Sequence, residues 1–194
     1  MKTVLGLTGQ TGAGKSTACI TAEKQGYFII DCDKIAREVT QKGGKAIYAL
    51  ASVFGNKIIL PDGTIDRRCL ADIAFSSPCL TQKLNDVILP FITDKIKEKA
   101  ENSNSDRILL DAPTLFESGA DAFCTVTVAV LADEEIRRQR IMRRDGLDET
   151  QAQKRINAGK SDDFFKEKCD YILYNNGNAD EFEKEFNALL AKIN

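Results

Sequence analysis

Residues 5–17 read LGLTGQTGAGKST. An apolar run passes into glycines and then into Lys15-Ser16-Thr17, the order in which a buried strand hands over to a helix through a phosphate-binding loop. Residues 9–16, GQTGAGKS, fit the pattern GxxxxGK[ST]. Glycines let such a loop curl with its N–H groups pointing inward, and the helix N-terminus adds further donors, so the turn becomes an anion nest. The pattern assigns Gly9, Gly12, Ala13, Gly14, Lys15, Ser16 and Thr17 to a nucleoside triphosphate. Lys15 is expected to reach the β- and γ-phosphates, and the Ser16 hydroxyl to face Mg²⁺. The loop identifies the donor and leaves the acceptor open.

Working outward, five apolar runs read as buried strands: TVLGLT (3–8), YFIID (27–31), RILLDA (107–112), TVTVAVL (125–131) and YILY (171–174). They are mostly continuous rather than alternating, which suits central parallel strands covered on both faces. Helical stretches follow the first, second and fourth: KSTACITAEKQ, CDKIAREVTQ and EEIRRQRIMRRDG. ADEFEKEFNALLAKI closes the series with Phe182, Phe186, Leu189, Leu190 and Ile193 on one stripe. This alternation predicts an α/β, three-layer P-loop fold with a five-stranded parallel sheet. Residues 34–105 are too long for a simple crossover. They hold RRCLADIAF and LTQKLNDVILPFITDKIKEKAEN, both helical in period, the turn LPDGT (60–64) and a polar connector ENSNSD (101–106). They are read as a helical insertion beside the sheet.

Bulk composition narrows the function. The 194 residues carry a net charge of −2, so no global basic field favours nucleic acid, and an anion site has to be local. There is no histidine, which excludes Ser-His and Cys-His nucleophile pairs and leaves Asp, Glu, Lys, Tyr or Cys as a general base. Six cysteines lack CxxC spacing, so free thiols are expected rather than a zinc site. MKTVLGLTGQ carries too short an apolar run for a signal peptide or membrane span, and a cytoplasmic protein with reduced thiols is expected.

Three further segments bear on the acceptor. In IIDCDKIAR (29–37), Asp31 and Asp33 stand at a strand's carboxyl end, where ligands of open parallel sheets bind. Either carboxylate could take a proton from a substrate hydroxyl, or cap the next helix. In ILLDAPTLFESG (108–119), Asp111 ends a strand as a Mg²⁺-site carboxylate behind a P-loop would. In RRQRIMRRDG (137–146), Arg137, Arg140 and Arg144 share one helix face, with Arg138 and Arg143 directed elsewhere. The Arg140/Arg144 pair is expected to close over the phosphates.

Taken in order, LTGQTGAGKST, IIDCDKIAREV, FGNKIILPDGTIDRRCLADIAF, ILLDAPTLFESG, RQRIMRRDGL and DYILYNNG resemble the dephospho-CoA kinase family across nearly the whole chain. The P-loop is common to many families; Asp-x-Asp-x-x-x-Arg followed by DAPTLFE is far more specific. The resemblance implies transfer of the ATP γ-phosphate to the 3′-hydroxyl of dephospho-CoA. It implies a core of 1–33, 106–135 and 170–194, a CoA-binding helical insertion at 34–105 and a lid at 136–169. Asp33 is then the general base, with Lys15 and Arg140 beside it in catalysis. Arg37 and Arg67 help hold the substrate, Arg144 and Asn175 contact ATP (Asn175 in the loop by the adenine), and Ser16 and Asp111 serve Mg²⁺. A monomer or small homo-oligomer is expected. The chain departs from the family's pattern at Gln10, where a second glycine is usual, at Leu89-Pro90, where His-Pro is usual, and at Gly159, where glutamine is usual. The alternative is a kinase for another nucleotide or small-molecule hydroxyl. A GTPase is disfavoured by the lack of NKxD and DxxG, and a transport ATPase by the lack of an SGG-type signature.

Overall fold

A computed structural model describes residues 2–193. The strands are β1 (Thr3–Gly9), β2 (Phe28–Asp31), β3 (Arg107–Asp111), β4 (Val126–Leu131) and β5 (Tyr171–Tyr174). They form one five-stranded parallel sheet in the order β2-β3-β1-β4-β5. β1 is central and buried from Leu5 onward, because it pairs with β3 and β4 and is covered on both faces. That double cover is why its sequence is a continuous apolar run. Gly6 interrupts the run for a packing reason: a Cβ there would lie 2.5 Å from Cys124 Sγ and 3.0 Å from Leu115. Register pairs Leu7 with Asp111 and Gly9 with Val130, so the strand ends carrying the candidate site align at one edge.

The chain divides into two compact units, Met1–Ile30 with Asn104–Asn194, and Asp31–Ser103. In the first, α1 (Lys15–Lys24) and α9 (Ala179–Ile193) bury Ala18, Ala22, Phe182, Phe186, Leu189 and Leu190 against Leu5, Leu7, Leu109, Val128 and Val130. Phe182 and Phe186 stack with centroids 6.2 Å apart. Phe186 is fully buried, and its replacement by Ala is expected to cost about 3–5 kcal/mol of unfolding free energy, read by urea denaturation. α6 (Glu134–Asp145) packs with α7 (Glu149–Asn157) through Ile141, Ala152 and Ile156. α8 (Asp162–Lys168) sets Phe165 against Ala129 and Leu131.

The second unit is helical: α2 (Cys32–Val39), α3 (Lys45–Phe54), α4 (Arg67–Ala74) and α5 (Pro78–Asn102). Its core holds Ile47, Leu50, Phe54, Ile58, Ile65 and Leu70, with Leu80, Leu84 and Val87 packed on it. The LPDGT turn closes with Leu60 N–H donating to the Thr64 carbonyl at 2.8 Å, beside an antiparallel bridge between Ile59 and Ile65. Within it Asp62 accepts from the Thr64 hydroxyl at 2.6 Å, which with the Thr64 N–H holds its carboxyl below the usual range. α5 runs through Asn102 with Pro90 inside it, so the polar connector begins at Ser103, two residues later than its composition suggests.

Among the described residues none of the six cysteines forms a disulfide. Burial, with Asp170 nearby, pushes the Cys169 thiol up to about 11, whereas Cys79 is exposed. At pH 7 Cys169 is therefore protonated and half-buried, and limiting iodoacetamide is expected to label Cys79 well before Cys169 in peptide mass spectra. Comparable early labelling of both would contradict this packing.

Candidate active site

The phosphate loop leaves β1 at Gly9 and enters α1 at Lys15. Two of its glycines are demanded by close approach. Gly9 has φ 136°, and a Cβ there would lie 2.1 Å from the Val130 carbonyl oxygen. Gly14 has φ 103°, and a Cβ would lie 2.3 Å from Asn175 Nδ2. These positive φ values strain any other residue. Lys15 Nζ donates to the Gly9 carbonyl at 3.2 Å, which holds the ammonium across the loop.

Residues distant in sequence brace the loop. Asn175 is buried, and its Nδ2 donates to the Ala13 carbonyl at 2.7 Å. Arg140 donates through Nη1 to the Asn175 carbonyl at 2.9 Å and to Ala13 at 3.3 Å. Burial lowers the Arg140 value, yet a guanidinium remains charged at neutral pH. Arg137 is turned inward instead: it is buried, and its Nε donates to the Ala132 carbonyl at 2.9 Å. Arg144 is held by Asp145, with Nε to Oδ1 at 2.7 Å, and that bond raises its value.

A cavity of about 850 Å³ opens over the loop. Its wall includes Lys15, Arg140, Arg143, Arg144 and Lys160 as cations, against Asp111 and Glu117 as anions. Five positive groups against two negative make a local cationic basin in a chain of net charge −2. The volume suits a nucleotide. Gly9, Gly12, Gly14, Ser16, Thr17 and Asn175 line it too, so the structure brings these residues into one place. Arg143 lines the cavity rather than facing elsewhere, because 140, 143 and 144 share a face while 137 lies beneath the end of β4. Arg138 does turn away, to Glu135 and Glu149.

Ser16 and Asp111 offer a hydroxyl and a carboxylate to this cavity. Both are hard oxygen donors, and no group of three or more His, Cys, Asp or Glu that could hold a metal occurs among the described residues. That donor set fits Mg²⁺, which keeps waters and phosphate oxygens as most of its ligands.

The remaining candidates lie in the second unit. Asp31 caps α2, accepting from Lys34 N–H at 2.8 Å, which leaves Asp33 in the first helical turn as an exposed carboxylate. Arg37 follows one turn later on the same face and is exposed. Arg67 Nη2 donates to Thr40 Oγ1, at the other end of α2, at 2.9 Å. The unit thus gathers Asp33, Arg37 and Arg67 around one helix.

Fold and cavity define the class as a P-loop kinase, which takes a nucleoside triphosphate by its phosphates. The family model for dephospho-CoA kinase (CoaE) matches residues 3–181. A dephospho-CoA kinase from Fusobacterium nucleatum is 36% identical over 183 residues, covering 94% of each chain. One from Enterococcus faecalis is 35% identical over 187 residues, covering 95% of this chain and 94% of its own. The crystal structure of TT1252 from Thermus thermophilus matches with a TM-score of 0.82 and 26% identity, over 100% of this chain and 98% of that one. The chain belongs to the dephospho-CoA kinase family.

Proposed function

We propose that the protein transfers the γ-phosphoryl group of ATP to the 3′-hydroxyl of dephospho-CoA, giving CoA and ADP. The observation that carries this reading is the cationic cavity over an intact phosphate loop in a chain of this family. In it the loop N–H groups cradle the phosphates, and Lys15 and Arg140 meet the charge on the transferring group. Arg144 contacts ATP further out, and Asn175 and Thr17 complete the nucleotide site. Ser16 and Asp111 would hold Mg²⁺, which when bound neutralises charge on the phosphate oxygens. Asp33 accepts the proton of the ribose hydroxyl as its oxygen attacks γ-phosphorus. The β–γ bridging oxygen leaves with ADP. Arg37 and Arg67 hold the acceptor's anionic groups. Residues 34–105 bind the acceptor and residues 136–169 act as a lid that excludes water from a poised ATP. The reaction is proposed to be cytoplasmic. No helix among the described residues is long and apolar enough to cross a membrane.

Acceptor choice tests this directly. ADP release from Mg²⁺-ATP is measured with dephospho-CoA, AMP, CMP, adenosine or no acceptor. Stimulation by dephospho-CoA alone is the expected result. Stimulation by a nucleoside monophosphate instead would move the protein to the alternative, a kinase for another nucleotide.

A further inference from the structure

Gln10 occupies the first variable position of the phosphate loop and is buried at 5% exposure. Its main chain helps close the loop: its N–H donates to the Val130 carbonyl at 3.1 Å and its carbonyl accepts from Ala13 N–H at 3.2 Å. Its side chain reaches two further elements. Nε2 donates to Asp162 Oδ1 at 2.7 Å, and Oε1 accepts from Ala132 N–H at 3.4 Å. The partners fix the amide's orientation, since a carboxylate needs a donor and a backbone N–H needs an acceptor.

Asp162 opens α8, and the residues around it form part of the cavity wall: Ala158, Gly159, Lys160 and Phe165. α8 also packs on the segment after β3, with Phe164 edge-on to Phe116 at 6.0 Å. The Gln10–Asp162 bond is a polar tie from this wall to the loop that cradles the phosphates. The bond is part-buried and its acceptor is charged, which places it among the stronger kinds, so it resists relative displacement of the two.

We propose that Gln10 is a positioning residue for the nucleotide. It sets the register of α8, and with it the 158–165 wall, against the phosphate loop, and so tunes the affinity for the triphosphate. It acts through Asp162 and Ala132 rather than on the reacting atoms. The proposal deepens the kinase reading and rests on it for the identity of the nucleotide alone.

The charges around Asp162 supply a discriminating test. Arg137, buried nearby, feels the Asp162 charge, and Lys166 Nζ lies 4.0 Å from Asp162 Oδ2. Gln10→Glu sets a second carboxylate against Asp162. Adding Asp162→Asn reverses donor and acceptor and restores one carboxylate beside Arg137. Mg²⁺-ATP affinity is measured by calorimetry on the full chain, a readout that needs no acceptor and survives failure of the dephospho-CoA assignment. Q10E is expected to raise Kd about tenfold, and Q10E/D162N to return it to within about threefold of the parent. Q10M, which keeps the bulk and removes the bonds, is expected to raise Kd about fivefold while the KM for the acceptor stays within about twofold. Parent-like ATP binding by Q10E or by Q10M would overturn the proposal. So would a double variant no tighter than Q10E, or a fall in kcat that tracks Tm with Kd unchanged.

Discussion

Replacing Lys15 with methionine is expected to lower kcat/KM for ATP by on the order of 10³. Methionine keeps most of the stem and removes the charge, so packing changes little. The ammonium is already held at the mouth of the loop, 3.2 Å from the Gly9 carbonyl, and lines the cavity. Phosphoryl transfer asks little covalent chemistry of the protein, so positioning and charge carry most of the rate. Arg140 and Arg143 share the cationic wall, yet Arg140 spends hydrogen bonds on Ala13 and Asn175, and Arg143 comes from α6 rather than from the loop. Neither can take over the position of Lys15. Steady-state ADP release with varied Mg²⁺-ATP measures the effect; a loss below about tenfold would remove Lys15 from its assigned role.

Asp33→Asn is expected to lower kcat by about 10²- to 10⁴-fold, the range for loss of a general base. Sequence left two aspartates in competition, and the fold separates them: Asp31 is engaged as the cap of α2, while Asp33 presents its carboxylate one turn from Arg37. Asparagine is nearly isosteric and cannot accept the proton. The nucleotide residues belong to the other unit of the chain, so Mg²⁺-ATP affinity is expected to stay within about threefold of the parent. Turnover by Asp33→Asn within about threefold of the parent would assign proton removal elsewhere. A loss of about 10²-fold or more with Asp31→Asn, beside near-parent turnover by Asp33→Asn, would point to the capping residue instead.

Much of this was legible in sequence because the relevant signals are local. β1, β3 and β4 are buried on both faces and the edge strand β5 is half-buried, and their continuous apolar runs marked all four to within about a residue. The phosphate loop was legible because its glycines answer to steric limits at Gly9 and Gly14. α7 and α8 were not assigned. Each spans fewer than three turns and buries one or two residues, Ala152 and Ile156 in one and Phe165 in the other, too few to impose a period. α3 was absorbed into the helical insertion, because its apolar residues nearly surround the helix and blur the stripe. The inward turn of Arg137 depends on the Ala132 carbonyl at the end of β4, which helical spacing cannot reveal. The braces on the loop, Asn175 to Ala13 and Gln10 to Asp162, join residues 162 and 152 positions apart, and no local pattern encodes such pairs.

Phosphorylation of one particular hydroxyl leaves its mark on the product. The purified protein is incubated with Mg²⁺-ATP and dephospho-CoA, and the product is followed by phosphorus NMR and mass spectrometry. A new phosphomonoester on the ribose 3′-oxygen is expected, formed in step with ADP and co-eluting with CoA. ADP formed without that phosphomonoester, or phosphate found on another oxygen, would contradict the proposed transfer.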